Sequence, residues 1–302
     1  KQYSAFLKAP EDNQPKFIAS GGTDDQTEWT RTLAEKVKPS WSLRMDAISH
    51  HYYTIPTSDW EKKGSATGFP EEEWFSALHR TLRIEDFIEE NIAILDELDP
   101  EKKIGFYVDE WGTWYDAEEG REPGFLYQQN TLRDAVVAAV NFNIFHHYSE
   151  RVHMTNIAQM VNVLQAMILT DGAEMVKTPT YHVYGMYKVF QDATAIPFSI
   201  NTSKYSQDGE SVPAVTASIA KGENGNLYIA LVNLDPTEEA SVSLDLKGMK
   251  VSSLNGQILS ADNITDKNTF AKKNVVKPTS FNAEADDLTL PAKSIVVAEL
   301  VK

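Results

Sequence analysis

The residues best suited to chemistry stand together in the run Asp109-Glu110-Trp111-Gly112-Thr113-Trp114. Two adjacent carboxylates follow an apolar stretch, and tryptophans follow the carboxylates. This combination suits a sugar transition state of the oxocarbenium type, because a carboxylate can attack or stabilise the anomeric carbon while an aromatic ring packs on the sugar. Many glutamates in such positions are instead helix caps, surface charges or halves of ion pairs, so the surroundings of Glu110 decide between these interpretations.

The apolar run before Glu110 predicts a buried parallel strand that carries the glutamate at its C-terminal tip. A second strand is predicted over residues 47–53, which end in His50-His51-Tyr52-Tyr53, and a third over residues 152–159, which end in Gln159. In α/β barrels the C-terminal ends of the strands meet at one rim, and active sites lie there. We therefore expect His51, Tyr53 and Gln159 to lie near Glu110.

Strand and helix patterns alternate up to about residue 192. A strand closed by Gly21 and Gly22 precedes a helix that ends at Pro39, and Pro70 begins a long helix after a loop that contains Trp60. Further helices are predicted over residues 131–147 and after the Thr178-Pro179 pair. Alternation of this kind is typical of stacked βα units around a parallel sheet.

Beyond Pro197 the helical period disappears. Short alternating runs at residues 214–219, 227–232, 241–246 and 294–300 are joined by turn residues, and residues 262–281 form a polar stretch that predicts a long loop. This texture is typical of an antiparallel β-sandwich. The sequence therefore predicts two domains, an α/β domain at 1–195 and a sandwich at 196–302.

Composition limits the partners and cofactors. The 302 residues carry a formal net charge of −16, which disfavours nucleic acid and anionic membrane surfaces as partners. There is no cysteine, and no apolar run reaches the length of a membrane span. No cofactor or metal site is predicted, since His50-His51 and His146-His147 lack the spacing of zinc ligands. One histidine of the first pair is expected to face a site, and the second pair is expected to be structural.

Three motifs together resemble glycoside hydrolase family 51 α-L-arabinofuranosidases. They are Ser49-His50-His51-Tyr52-Tyr53, the run from Asp109 to Trp114, and residues 158–164, Ala-Gln-Met-Val-Asn-Val-Leu. The resemblance extends over essentially the whole chain and matches the C-terminal part of such enzymes. It implies the second half of a (β/α)8 barrel, strands 5–8, followed by a C-terminal β-sandwich.

The resemblance also implies residue roles. Glu110 corresponds to the catalytic nucleophile at the tip of the seventh barrel strand. The expected sugar contacts are His51, Tyr53, Trp114, Gln159 and Trp60. The family's general acid/base lies in an Asn-Glu pair after the fourth strand, and this sequence contains no such pair. Residues 1–7 resemble the helix that follows that strand, so we expect the chain to begin inside a larger protein and its compartment to be set upstream.

The implied function is the retaining release of terminal α-L-arabinofuranosyl residues from arabinan-type or arabinoxylan-type glycans. The acid/base would come from an N-terminal half, and without it the chain is expected to be inactive. We also expect that half, or a second copy of this chain, to cover the open strand edges. The alternative is a non-catalytic carbohydrate-binding or assembly fragment in which Trp60, Trp111 and Trp114 stack on sugars. The His-x-Tyr motif favours the enzyme, because a binding platform has no need to orient a carboxylate.

Overall fold

The computed structural model describes residues 9–37, 44–248 and 250–302. The expectations for residues 1–7 and for a helix end at Pro39 lie outside these ranges. The chain divides into two compact units. The first contains residues 1–52, 83–111 and 148–156, and the second contains residues 53–82, 112–147 and 157–302.

The first part of the chain alternates strands with helices, as the sequence predicts. A four-stranded sheet has the order β1-β2-β3-β4, and β1 pairs in parallel with β2 through Ile18 and Ala47. A helix stands between each pair of consecutive strands. The elements are β1 (Ile18–Ala19), α1 (Thr27–Val37), β2 (Ala47–Thr54), α2 (Glu71–Leu98), β3 (Gly105–Thr113), α3 (Leu132–His147) and β4 (Val152–Ile157).

Strand β3 is longer than predicted. Glu110 is the sixth of its nine residues and not its tip, because the strand continues through Trp111 to Thr113. Aromatic and β-branched residues favour extended backbone, so two carboxylates do not end the strand. At Gly112 the strand passes close to a neighbouring loop, where a Cβ would lie 3.3 Å from the carbonyl oxygen of Ala158. Glycine permits this approach.

A buried arginine anchors the beginning of β4 in the first unit. The Arg151 guanidinium donates to Asp96 Oδ1 at 2.7 Å and to Asp99 Oδ2 and the Ile104 carbonyl at 2.9 Å. Because both carboxylates face it, the buried charge is paired and hydrogen-bonded. Apolar side chains complete the core of this unit, among them Ile48, Ile88, Leu95, Phe106 and Val108.

The second unit contains a hairpin that the sequence analysis does not predict, formed by β5 (Ile168–Asp171) and β6 (Glu174–Lys177). It precedes α4 (Pro179–Tyr187), whose N-cap is Thr178 as expected: the Thr178 hydroxyl accepts from the backbone N–H of Tyr181. Helix α3 is buried along almost its whole length. Among the described residues, no helix combines the length and apolarity that a membrane crossing requires.

The remaining strands pair antiparallel. A six-stranded sheet has the order β14-β13-β16-β11-β10-β7, and two pairs, β12-β15 and β8-β9, accompany it. Buried residues such as Ile229, Leu231, Leu254 and Val296 form the core here. The strands are β7 (Thr194–Ala195), β8 (Lys204–Gln207), β9 (Glu210–Pro213), β10 (Val215–Lys221), β11 (Leu227–Asn233), β12 (Ala240–Val242), β13 (Ser253–Leu259), β14 (Thr279–Glu284), β15 (Leu288–Leu290) and β16 (Ser294–Val301).

Two boundaries differ from the sequence prediction in this region. The strand predicted over residues 241–246 ends at Val242. The predicted loop at 262–281 is three residues too long, because β14 begins at Thr279 and pairs with β13. The rest of that loop is fixed through Asn268, whose side-chain amide donates to the carbonyl oxygens of Lys177 and Val276 at 2.9 and 2.8 Å.

Candidate active site

Glu110 and His51 lie side by side on β3 and β2. Nδ1 of His51 is 3.7 Å from Oε2 of Glu110, a charge-pair distance beyond the length of a normal hydrogen bond. Both side chains remain accessible, with 40% of the histidine and 42% of the glutamate exposed. Glu110 is therefore a carboxylate that an external molecule can reach and that an imidazole can orient.

Asp109 is a member of this cluster that the sequence analysis gives no role. Its Oδ1 lies 3.3 Å from Nε2 of His51, so the imidazole faces a carboxylate with each of its nitrogens. Burial raises the pKa of Asp109, while the neighbouring His51 and a hydrogen bond from Ser49 act in the opposite direction. The only signal in the sequence is its position next to Glu110.

The two adjacent histidines of β2 have opposite surroundings. His50 is buried between Phe87 and Phe106, with ring centroids 6.2 and 5.5 Å away. Burial lowers the pKa of His50 to about 4. The structure therefore separates a core histidine from one that faces the acids, as the sequence analysis expects for one member of this pair.

Aromatic side chains cluster in the second unit, contributed by the end of β2, the loop that follows it and the residue directly after β3. The ring of Trp114 meets the ring of Tyr53 edge-on at 5.0 Å and the ring of Trp60 edge-on at 5.5 Å. Trp60 is 52% exposed, whereas Trp111 is completely buried. Trp111 is therefore a core residue, and its expected stacking on a sugar in the alternative interpretation is wrong.

A buried polar network fixes the backbone next to Trp114. Thr113 N–H donates to Gln165 Oε1 at 2.9 Å, and the Gln165 amide donates to the Asp134 carbonyl at 2.7 Å. The Asp134 carboxylate accepts from the hydroxyls of Thr113 and Tyr115 at 2.7 and 3.0 Å. Burial raises the pKa of Asp134, and the donors around it partly offset this effect. The network holds the segment that presents Trp114.

Gln159 lies in the loop after β4, and its side chain is exposed. Its backbone is held on both sides: Gln159 N–H donates to the Val163 carbonyl at 3.1 Å, and Met167 N–H donates to the Gln159 carbonyl at 3.2 Å. Its predicted contact with a sugar stays a prediction.

Within the described ranges, no group of three or more histidine, aspartate or glutamate side chains is arranged to hold a metal ion.

Comparison with known proteins assigns this chain to a family. The model of the α-L-arabinofuranosidase C-terminal domain matches residues 109–294, which begin at the first acid of the cluster. The chain belongs to this family. The resemblance to the C-terminal part of family 51 arabinofuranosidases is thereby confirmed.

Individual relatives agree with this assignment. An intracellular exo-α-L-arabinofuranosidase of Bacteroides ovatus is 43% identical over 99% of this chain and 59% of its own length. The crystal structure of a GH51 arabinofuranosidase from Xanthomonas axonopodis pv. citri is 46% identical, with a TM-score of 0.94 over 99% of this chain and 61% of that one. The structure of a GH51 α-L-arabinofuranosidase from Thermotoga petrophila shares the fold, with a TM-score of 0.76 at 21% identity, over 94% of this chain and 57% of that one.

The chain thus spans about 60% of the length of the relatives it matches. Its α/β architecture, followed by antiparallel sheets, is that of the C-terminal portion of these enzymes.

Proposed function

We propose that this chain carries the nucleophile of a retaining α-L-arabinofuranosidase that releases terminal α-L-arabinofuranosyl residues from arabinan-type or arabinoxylan-type glycans. Glu110 is the nucleophile. The observation that carries the proposal is the pairing of this accessible carboxylate, which lies in the matched family region, with His51 at 3.7 Å. Tyr53, Trp60, Trp114 and Gln159 are the proposed sugar contacts.

The proposed reaction proceeds in two displacements. An oxygen of Glu110 attacks the anomeric carbon and forms a glycosyl ester, while the bond from that carbon to the leaving oxygen breaks and a carboxylic acid protonates that oxygen. Water then attacks the anomeric carbon, loses its proton to the same acid, now a base, and frees Glu110. The anomeric configuration is retained because each displacement inverts it.

The acid/base is proposed to come from sequence that this chain does not contain. In retaining enzymes the two carboxyl groups stand about 5–5.5 Å apart, and their pKa values are pushed apart by their surroundings. Asp109 is adjacent to Glu110 in sequence and is engaged with His51, so it is the orienting group and not the acid. The chain alone is expected to be inactive.

The same reasoning applies to architecture and partners. We propose that β1 to β4 with their helices are the second half of a (β/α)8 barrel within residues 1–195, and that the antiparallel sheets of residues 196–302 form a β-sandwich. Edge strands present unpaired backbone groups that favour association. An N-terminal half of the same enzyme is the proposed partner at the β1 and β4 edges, and a homo-oligomer is expected.

The alternative, a carbohydrate-binding fragment without catalysis, has less support. Of the three tryptophans it requires, Trp111 is completely buried. Stacking on a sugar also does not require a carboxylate that faces an imidazole.

A covalent trap tests the proposal. The full-length enzyme is incubated with a 2-deoxy-2-fluoro-α-L-arabinofuranoside bearing a good leaving group, and the inactivated protein is digested and mapped by mass spectrometry. The label is expected on Glu110. A label on another residue would reassign the nucleophile, and turnover without any trapped ester, accompanied by inverted product, would exclude the retaining mechanism.

A further inference from the structure

A groove in the second unit is bordered by residues that have no role in the proposed chemistry. Its volume is about 360 Å³, within the range of roughly 300–1,000 Å³ that small-molecule pockets occupy. The loop after β3 and the loop after β4 contribute most of its wall. The lining residues used below are Arg121, Phe125, Tyr127, Asn162, Thr170 and Asp171.

Flat aromatic surfaces form one side of the groove. Phe125 ends a short 3-10 turn and is 75% exposed, an unusual position for a large apolar ring on a folded surface. The Arg121 guanidinium stacks on Tyr127, 4.1 Å from the ring centroid, and fixes the orientation of that ring. An exposed ring beside an oriented ring offers a stacking platform to a molecule with an apolar face.

Polar groups also line the groove. The Asn162 amide donates to Thr170 Oγ1 at 2.8 Å and accepts from Thr170 N–H at 2.7 Å. The amide retains one N–H and one lone pair for a ligand. Arg121 is the cation of the groove lining, and two acids, Glu122 and Asp171, also line it. This balance disfavours an anion and suits a neutral molecule rich in hydroxyl groups.

The groove is joined to Gln159 through the backbone. Val163, which lines the groove, accepts the hydrogen bond from Gln159 N–H at 3.1 Å. The aromatic side is fastened to the same loop, because Leu126, next to Phe125, accepts from Leu164 N–H at 2.8 Å. Backbone hydrogen bonds therefore link the groove to the proposed sugar contact Gln159.

We propose that this groove binds internal sugar units of the glycan whose terminal arabinofuranose contacts Gln159. The inference rests on the proposed function and deepens it by assigning a subsite for the chain beyond the scissile bond. Phe125 and Tyr127 stack on the apolar faces of the sugar rings, and Asn162 and Arg121 hydrogen-bond the hydroxyl groups. The groove would make the enzyme favour oligosaccharides over simple arabinosides.

The test compares two substrates in the full-length enzyme, α-1,5-linked arabinotetraose and 4-nitrophenyl α-L-arabinofuranoside, which lacks internal sugars. Phe125→Ala is expected to raise the ratio of the KM for the tetraose to the KM for the nitrophenyl substrate about tenfold, the equivalent of about 1.4 kcal/mol. The matched control is Ile200→Ala, which truncates another exposed apolar side chain, 47% accessible, outside the groove. It should leave that ratio unchanged. An unchanged ratio for Phe125→Ala would overturn the proposal.

Calorimetric titration of arabinotetraose into Glu110→Gln enzyme, with and without Phe125→Ala, separates this proposal from the proposed function. If Phe125→Ala weakens tetraose binding about tenfold, the groove proposal is supported. This holds even if the wild-type enzyme hydrolyses neither substrate, because that failure would contradict only the proposed function. If the wild-type enzyme hydrolyses both substrates but the two titrations give equal tetraose affinity, the groove proposal is disproved and the proposed function stands.

Discussion

The imidazole Nε2 of His51 lies 3.3 Å from Oδ1 of Asp109, while Nδ1 of the same ring faces Glu110 at 3.7 Å. The imidazole lies within charge-pair distance of both carboxyl groups, so removing any one of the three side chains changes the electrostatic environment of the other two. We expect Asp109 to act on Glu110 through His51, as a positioning residue.

Glu110→Gln should remove turnover without unfolding the protein. The amide keeps the shape of the side chain but has no charge with which to attack the anomeric carbon. We expect kcat of the full-length enzyme to fall by about four orders of magnitude or more, with a thermal unfolding midpoint close to that of wild type. Glu119→Gln, which changes an exposed acid in a loop, is the matched control. A Glu110→Gln enzyme with a tenth of wild-type activity would disprove the assignment.

A double-mutant cycle tests the coupling of Asp109 to His51. Asp109→Asn and His51→Ala should each lower kcat/KM, and the double variant should lose less than the two effects added together. Contacting charged residues typically show interaction energies of about 0.5–3 kcal/mol. Additive losses would mean that Asp109 does not act through His51. The pH profile of kcat/KM gives a second readout, because Asp109→Asn removes a carboxyl group whose pKa burial raises.

The sequence is sufficient to predict that Glu110 and His51 lie close together, but it does not predict that Asp109 joins them. The alternation of strands and helices follows from hydrophobic periodicity, and the two residues follow from apolar runs that end in polar groups. Consecutive side chains on a strand point to opposite faces, so the pattern gives Asp109 no reason to share a partner with Glu110. Asp109 and Glu110 nevertheless share His51 as a partner, because each faces a different nitrogen of the imidazole. Only the three-dimensional structure shows this arrangement.

The sequence pattern does not predict the buried charged side chains, for a related reason. Arg133, Asp134 and Arg151 are fully or almost fully buried, although arginine and aspartate are mostly exposed in folded proteins. Each is paired or hydrogen-bonded by at least one group that is distant in sequence, such as Ser65 for Arg133 across 68 residues. Local pattern carries no information about these partners. The β5-β6 hairpin was missed because its two four-residue strands are too short to show alternation clearly.

Arg133→Leu should destabilise the second unit. The guanidinium lies 3.5 Å from the centroid of Phe69 and 4.2 Å from that of Tyr115, and it donates to the Ser65 carbonyl at 2.7 Å. Truncation leaves that carbonyl and the carboxylate of Glu73 without the cation they face. We expect the free energy of unfolding to fall by about 3–5 kcal/mol in urea titrations. Arg31→Leu, which removes an exposed pair with Glu97, should have a much smaller effect, because solvent screens exposed ion pairs. Equal effects of the two variants would contradict this account.

His50 should make the protein less stable in acid. Burial among aromatic rings lowers its native pKa to about 4 from an ordinary value of 6.5, so between these pH values the unfolded chain binds a proton that the native chain does not. Stability is therefore complete above pH 6.5 and declines as the pH falls towards 4, by up to about 1.4 kcal/mol per unit for this residue. His146, whose pKa burial also lowers to about 4, adds a second contribution of the same sign.

His50→Phe isolates the first contribution, because it keeps an aromatic ring beside Phe87 and Phe106 while removing the titrating group. The free energy of unfolding is measured by urea titration at several pH values from 7 to 4. The variant curve should be shallower than the wild-type curve, with a difference that grows to about 3 kcal/mol at the acid end. The comparison uses differences between pH values, so a constant offset caused by repacking of the larger ring does not affect it. Parallel curves would show that His50 binds its proton as readily in the folded protein as in the unfolded chain.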